Sequence, residues 1–129
     1  MAHIHEKYDY TTSGFVIHEN KLLLVKHIKL GSWLQPGGHI ELDEHPIEAL
    51  FREIHEETGL SEDHLQIIEN TRIPVVYDGS NISLPVPYDI NVHPFPPKPG
   101  HFHIDLRYVL LSDTAEVVQN PAENNGIGR

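Results

Sequence analysis

The chain has 129 residues, 39% of them hydrophobic and 22% charged, which fits one domain with a single modest core. Nineteen acidic residues against nine lysines and arginines leave a formal charge of −10. That balance argues against docking on a nucleic-acid polymer, yet admits a small phosphorylated ligand if a divalent cation stands between the two sets of negative charge.

No apolar run approaches the roughly 18 residues of a membrane span, and the N-terminus MAHIHEKYDY lacks the apolar stretch of a signal peptide. Cysteine is absent, which removes disulfide and thiol chemistry and is compatible with a reducing compartment. A cytoplasmic protein without a membrane partner is the expectation. The eleven histidines are scattered along the chain, making its net charge sensitive to mild acid.

Residues 8–18, YDYTTSGFVIH, and 21–28, KLLLVKHI, are β-rich runs separated by the turn signal Glu19-Asn20, so a hairpin or two neighbouring strands are predicted. Residues 31–38, GSWLQPGG, interrupt regular structure, because Pro36 is extended or turn-like and paired glycines permit unusual angles and close approach. The pattern turns helical from Pro46 to Thr58, with proline suited to the first helical position and Gly59 a stop signal. Ile47, Leu50, Phe51, Ile54 and Thr58 share one face, while Arg52, Glu53, Glu56 and Glu57 occupy an adjoining arc with small Ala49 among them.

Further strands are predicted at 65–69, 73–78, 86–92 and 101–111, the last two separated by the stiff loop PFPPKPG. Residues 112–129 offer a short strand, AEVVQ, followed by a polar, loop-like stretch. Strands on both sides of one strong helix, with no internal repeat, predict a single α/β or α+β domain over 1–129.

Glu53, Glu56 and Glu57 stand at i, i+3 and i+4, so their side chains neighbour one another on the helix. Hard oxygen donors so arranged suit Mg²⁺ or Mn²⁺, which keep waters and substrate phosphates in their other positions. Taken alone, the same run reads more readily as a solvated acidic face, and Arg52 with Glu56 as an ordinary i,i+4 pair.

The spacing around the helix is more specific. Gly38 is followed after five residues by Glu44, and after seven more by Arg52-Glu53-Ile54-His55-Glu56-Glu57-Thr58-Gly59-Leu60. This resembles the Nudix box of the Nudix hydrolase family over 23 contiguous residues with nine constrained positions. Trp33 and Pro36-Gly37-Gly38 resemble the family's approach to the box, and outside 31–60 the likeness is one of strand order. His45 departs from the pattern, standing where a small hydroxyl residue commonly caps the helix, so a weaker cap is expected.

The resemblance implies a Nudix fold, a mixed sheet sandwiched by helices with a catalytic loop–helix–loop. It implies hydrolysis of a pyrophosphate link in a nucleoside diphosphate joined to another group. By the same resemblance Glu53, Glu56 and Glu57 bind the metal, the Gly37 carbonyl adds a ligand, and Glu53 orients or deprotonates the attacking water. Arg52 holds the carboxylates in register, with Gly38, Glu41, Glu44 and Gly59 as supporting positions. The alternative is a Nudix-like module that binds a nucleotide without turning it over.

Strict alternation puts His101, His103, Asp105 and Arg107 on one face of a strand. A transition metal uses such residues, but a polar wall of the substrate cleft is the favoured reading, with His103 lining it and Arg107 available for a phosphate. HEETG at 55–59 is not a zinc-protease motif, since Gly59 stands where histidine is needed. Trp33 reads as packing rather than base stacking; Tyr77, Tyr88 and Phe95 are further stacking candidates, and Lys98 reads as solvated. Glu123, or alternatively Glu116, is the candidate for the additional acid the family takes from a late loop. No amphipathic helix follows the last strands, so a second copy of the chain covering the exposed sheet, or reduced stability, is expected.

Overall fold

The computed structural model describes residues 7–28, 30–69, 81–118 and 126–128. The β-branched and aromatic residues of YDYTTSGFVIH form β1 (Tyr8–His18), which turns through Glu19 and Asn20 into β2 (Lys21–Leu22). Both turn residues have positive φ, 49° and 64°, the geometry that matches the twist of a two-residue hairpin. Ile17 faces Leu22 and His18 faces Lys21, so the expected hairpin forms but is short. After Leu23 the chain leaves this sheet as β3 (Leu24–Lys26).

The stretch expected to interrupt regular structure instead supplies two short strands, β4 (Trp33–Leu34) and β5 (Gly37–His39). Glycine is what permits the second of these. A Cβ on Gly37 would lie 2.3 Å from the Thr12 carbonyl oxygen, so only a bare backbone can pair this closely with β1. The helix α1 (Pro46–Thr58) begins and ends as predicted, and Gly59 closes it with φ 79° while its N–H donates to the His55 carbonyl.

The weaker cap expected of His45 is corrected by the structure. Its Nδ1 accepts from the N–H groups of Ile47 and Glu48, and the Glu48 carboxylate returns a bond to the His45 N–H, completing a capping box. An unprotonated imidazole nitrogen reaches the same donors that a hydroxyl oxygen would.

A 3-10 turn (Glu62–His64) leads into β6 (Leu65–Ile68), and the chain later forms the hairpin of β7 (Asp89–Pro94) and β8 (Phe102–Ser112). The final strand, β9 (Ile127–Gly128), lies in the stretch expected to be loop-like. It pairs with β3 because Ile127 brings one apolar side chain to the core, while Gly126 and Gly128 leave room for the Trp33 ring to lie against them. The Trp33 ring packs on these glycines by one side and is 49% exposed. The strand expected at 115–119 does not form over 114–118: Val118 is tied by one bond to the Thr58 carbonyl, and among the described residues no strand pairs with it. The expected strand at 73–78, with Tyr77, and the candidate acid Glu123 lie outside the described residues.

β1 and β8 run parallel from Tyr8 opposite Phe102 to Ile17 opposite Leu111 and form the spine of a mixed sheet. β5 and β7 flank the spine at one end, β2 and β6 at the other, and β4-β3-β9 make a second small sheet. Val16, Tyr108 and Leu110 of the spine pack with Leu50 and Ile54 of α1 and with Leu23 and Leu60, forming the core. Ile47 and Phe51 complete the predicted apolar face as partly buried neighbours. The mixed α+β architecture is as expected, and among the described residues α1 is the α-helix that covers the sheet. No helix of the described residues is long and apolar enough to cross a membrane.

Candidate active site

Two of the three glutamates on the acidic arc of α1 face the protein, while the Glu56 side chain is 38% exposed. Ala49 in the middle of it is fully buried, Glu57 is 7% exposed, and the Glu53 side chain is 13% exposed. For Glu53 and Glu57 a solvated acidic face is thereby set aside: what meets these two carboxylates is the backbone of β5. Gly37 N–H donates to Glu57 Oε1 at 3.1 Å. A Cβ on Gly38 would fall 2.5–2.6 Å from the carboxylate atoms of Glu53, so that glycine makes the space the carboxylate fills.

Arg52 ties the acids together. Its Nε donates to both Glu44 oxygens at 3.0 and 3.2 Å, Nη1 donates to Glu53 at 2.8 Å and to Glu56 at 3.3 Å, and Nη2 reaches the His39 carbonyl at 3.0 Å. Glu41 lies 4.0 Å away. The predicted Arg52–Glu56 pair thus exists, but as one contact among several. Hydrogen bonding from Arg52 holds the Glu44 carboxyl below its usual range, and the Glu44 and Glu53 carboxylates raise the guanidinium's own pKa. One guanidinium among four carboxylates at 4.0 Å or less offsets only part of their charge. An all-oxygen donor set of this kind fits a hard divalent cation such as Mg²⁺ or Mn²⁺.

Gly37 and Gly38 also line a cavity of about 580 Å³, together with Ser13, Asp105 and Arg107. Ser13 Oγ donates to Asp105 Oδ2 at 2.8 Å, and Gln35 Nε2 lies 3.4 Å from the same hydroxyl. Burial pushes the Asp105 carboxyl up, against the lowering effect of the Ser13 bond. Burial, reinforced by neighbouring histidines, pulls His103 down to about 4, so its ring is neutral at pH 7. Asp105 Oδ1 and His103 Nε2 are buried atoms without a hydrogen-bond partner among the described residues.

The structure brings Arg52, Glu53, Glu56, Glu57, Gly37, Gly38, Glu41 and Glu44 together, whereas Gly59 sits apart at the helix end. His103 and Arg107 line the cavity, as expected of them. Arg107, however, is engaged by Asp89 across the β7–β8 hairpin, in two bonds of 2.5 and 2.6 Å. Phe95 stacks on His103 with ring centroids 4.7 Å apart; Tyr88 and Glu116 are exposed. Sequence reasoning passed over Asp9, Ser13, His39 and His93. Each comes to this face through strand register, a relation that appears in the sequence only as parity of position within strands whose pairing is not yet known.

With this geometry in place, a family model described as the NUDIX domain matches residues 7–125. A probable DHNTP pyrophosphohydrolase of Lactococcus lactis is 31% identical over 106 residues, covering 82% of this chain and 55% of that protein. An RNA pyrophosphohydrolase of Ruthia magnifica is 43% identical over 67 residues, covering 50% of this chain and 37% of that protein. The chain thus spans little more than half of the curated relatives it matches, or less. Among solved structures, a NUDIX-family hydrolase from Clostridium perfringens superposes with a TM-score of 0.74 at 27% identity, over 93% of this chain and 79% of that one. The C. elegans Ap4A hydrolase, at 15% identity, gives a TM-score of 0.71 over 93% of this chain and 77% of that one, and shares the fold.

Proposed function

The chain belongs to the Nudix family, and on that premise we propose that it hydrolyses the pyrophosphate link of a soluble nucleotide-type substrate with Mg²⁺ or Mn²⁺. The observation that carries this reading is the placement of Glu53 and Glu57 against Gly37-Gly38, two residues that also line the cavity. The glutamates themselves do not line the cavity; the two glycines link their carboxylates to its wall. Glu53, Glu56, Glu57 and the Gly37 carbonyl would hold the metal. Bound there, it would screen the phosphate charge, polarise a phosphoryl oxygen and lower the pKa of a bound water.

The chain's own contribution is positional. Arg52 fixes Glu53 and Glu56 through Nη1 and is itself braced by Glu44, so the carboxylates need not reorganise when substrate arrives. Glu53 takes the proton of the attacking water as its oxygen bonds to phosphorus. The P–O bond of the anhydride breaks, and the departing phosphate keeps the electron pair. The cavity beyond Gly38 holds the group attached to the diphosphate, with His103 and Arg107 in its wall. The net charge of −10 favours a small ligand over a polymer.

The test is a panel of nucleoside triphosphates, nucleotide sugars, dinucleotides and a 5′-triphosphorylated RNA oligonucleotide, each with Mg²⁺ or Mn²⁺, products identified by mass. Glu53→Gln and Glu57→Gln should fold normally and lose about 10²-fold or more of the turnover. Wild-type rates in both variants would remove these residues from the mechanism. Binding without turnover across the panel would replace the enzyme by a nucleotide-binding module.

A further inference from the structure

Histidines gather at the end of the sheet flanked by β5 and β7. The parallel register of the spine sets Asp9 directly opposite His103, and the antiparallel register of the hairpin sets His93 on its other side. His39, at the end of β5, pairs with Thr11, two residues along from Asp9. His101 stands two residues before His103, so strand periodicity sends both side chains to the same face. The rings of His39, His93 and His101 all meet His103 edge-on, with centroids 5.1, 5.7 and 5.5 Å away.

Within this group, one donor atom each from Asp9, His101 and His103 lie within 4.8 Å of one another. His101 Nε2 is 2.8 Å from Asp9 Oδ2, and His39 Nε2 is 3.4 Å from the same oxygen. His101 is 3% exposed and His103 9%. Hydrogen bonding to Asp9 explains His101, but it leaves His103 Nε2 buried without a partner. An unsatisfied buried polar atom is destabilising, and a ligand at this position removes that cost. Protonating His103 would not remove it, since a cation would then be buried among three other imidazoles.

We propose that Asp9, His101 and His103 form a second metal site, for a transition-metal dication of the Zn²⁺ type, with His39 and His93 adjacent as candidates for a fourth donor. Imidazole nitrogen with one carboxylate selects such an ion over Mg²⁺, which prefers oxygen alone. This separates the site chemically from the carboxylates of α1. Bonds of about 2.0–2.1 Å at tetrahedral angles set donors about 3.3 Å apart. The widest pair must therefore close by up to about 1.5 Å, while Asp9 and His101, 2.8 Å apart, open slightly. Asp9, whose side chain is 39% exposed, is free to supply part of that movement.

The experiment uses the full chain in a Glu53→Gln/Glu57→Gln background, which weakens the carboxylate site, stripped with chelator and kept in excess Mg²⁺. Titration calorimetry with Zn²⁺ should find one ion per chain at micromolar affinity or tighter, and Co²⁺ should give visible absorption of a nitrogen-ligated ion. His101→Ala and His103→Ala should each weaken zinc binding at least 100-fold with the far-UV spectrum unchanged. Asp9→Asn, at a more exposed position, should weaken it at least tenfold and serves as the variant that folds if a histidine change does not. His3→Ala/His5→Ala should leave the affinity as it was. Zinc binding unchanged by Asp9→Asn and His101→Ala, lost with the His3/His5 pair, or absent at micromolar free zinc would overturn the proposal. The readout is metal affinity, so its failure would leave the pyrophosphatase reading untouched.

Discussion

Gly37 and Gly38 look interchangeable in the sequence, yet the two positions forbid a side chain for different reasons. At Gly37 the obstacle to a Cβ is backbone and near-backbone, the Thr12 carbonyl at 2.3 Å and Ser13 Cβ at 2.6 Å, which cannot yield without unpairing β5 from β1. At Gly38 the obstacle is the far end of Glu53, which can swing away. Gly37→Ala should therefore cost stability, about 1–3 kcal/mol or more by the usual scale of overpacking. Gly38→Ala should leave the melting temperature within a few degrees of wild type and lower turnover at least tenfold by displacing Glu53. Paired thermal melts and rate measurements separate the two; equal losses of stability in both would refute the distinction.

At the scale of the element, α1 was the most legible part of the chain. A proline start, a glycine stop and a 3.6-residue apolar period are local signals, and the helix obeys them from Pro46 to Thr58. The spacing of Gly38, Glu44 and the REIHEE run was equally readable, because the residues that converge on Arg52 are close in sequence. β5 and β9 were not legible. Each is two or three residues long and glycine-rich, and exists because a partner strand accepts bare backbone there. The cap was misjudged because residue preference stood in for geometry. His45 Nδ1, 3.2 Å from each of two N–H groups, performs the bonding expected of serine or threonine. His45→Ala should therefore cost about 1 kcal/mol, and His45→Ser should recover most of it. The midpoint of urea unfolding measures both, and an unchanged midpoint for His45→Ala would show the box to be energetically idle.

Across the whole molecule, what the sequence could not disclose is register. Asp9 and His103 are far apart in the chain and become neighbours only because β1 and β8 run parallel, and the same pairing brings Ser13 to Asp105. Arg107 illustrates the consequence. Read along its own strand it is a cation available for phosphate; read across the hairpin it faces Asp89 and is held by it. Hydrogen bonding from Arg107 depresses the Asp89 carboxyl below its ordinary value near 3.8, so the native state binds fewer protons there than the unfolded chain. The pair's stabilisation is then fully present above about pH 4 and is lost as pH falls through the lower folded value. Asp89 is nearly half exposed, so solvent screening keeps the contribution within roughly 0–1 kcal/mol. Asp89→Asn should therefore lower the melting temperature by a few degrees at most at neutral pH. The gap from wild type should close as pH falls below about 4 and through the depressed folded value, where wild-type Asp89 itself becomes neutral. Melts recorded across that range decide the matter: a gap that stays constant to the acid end would mean that Asp89 holds the hairpin by packing and not by its charge.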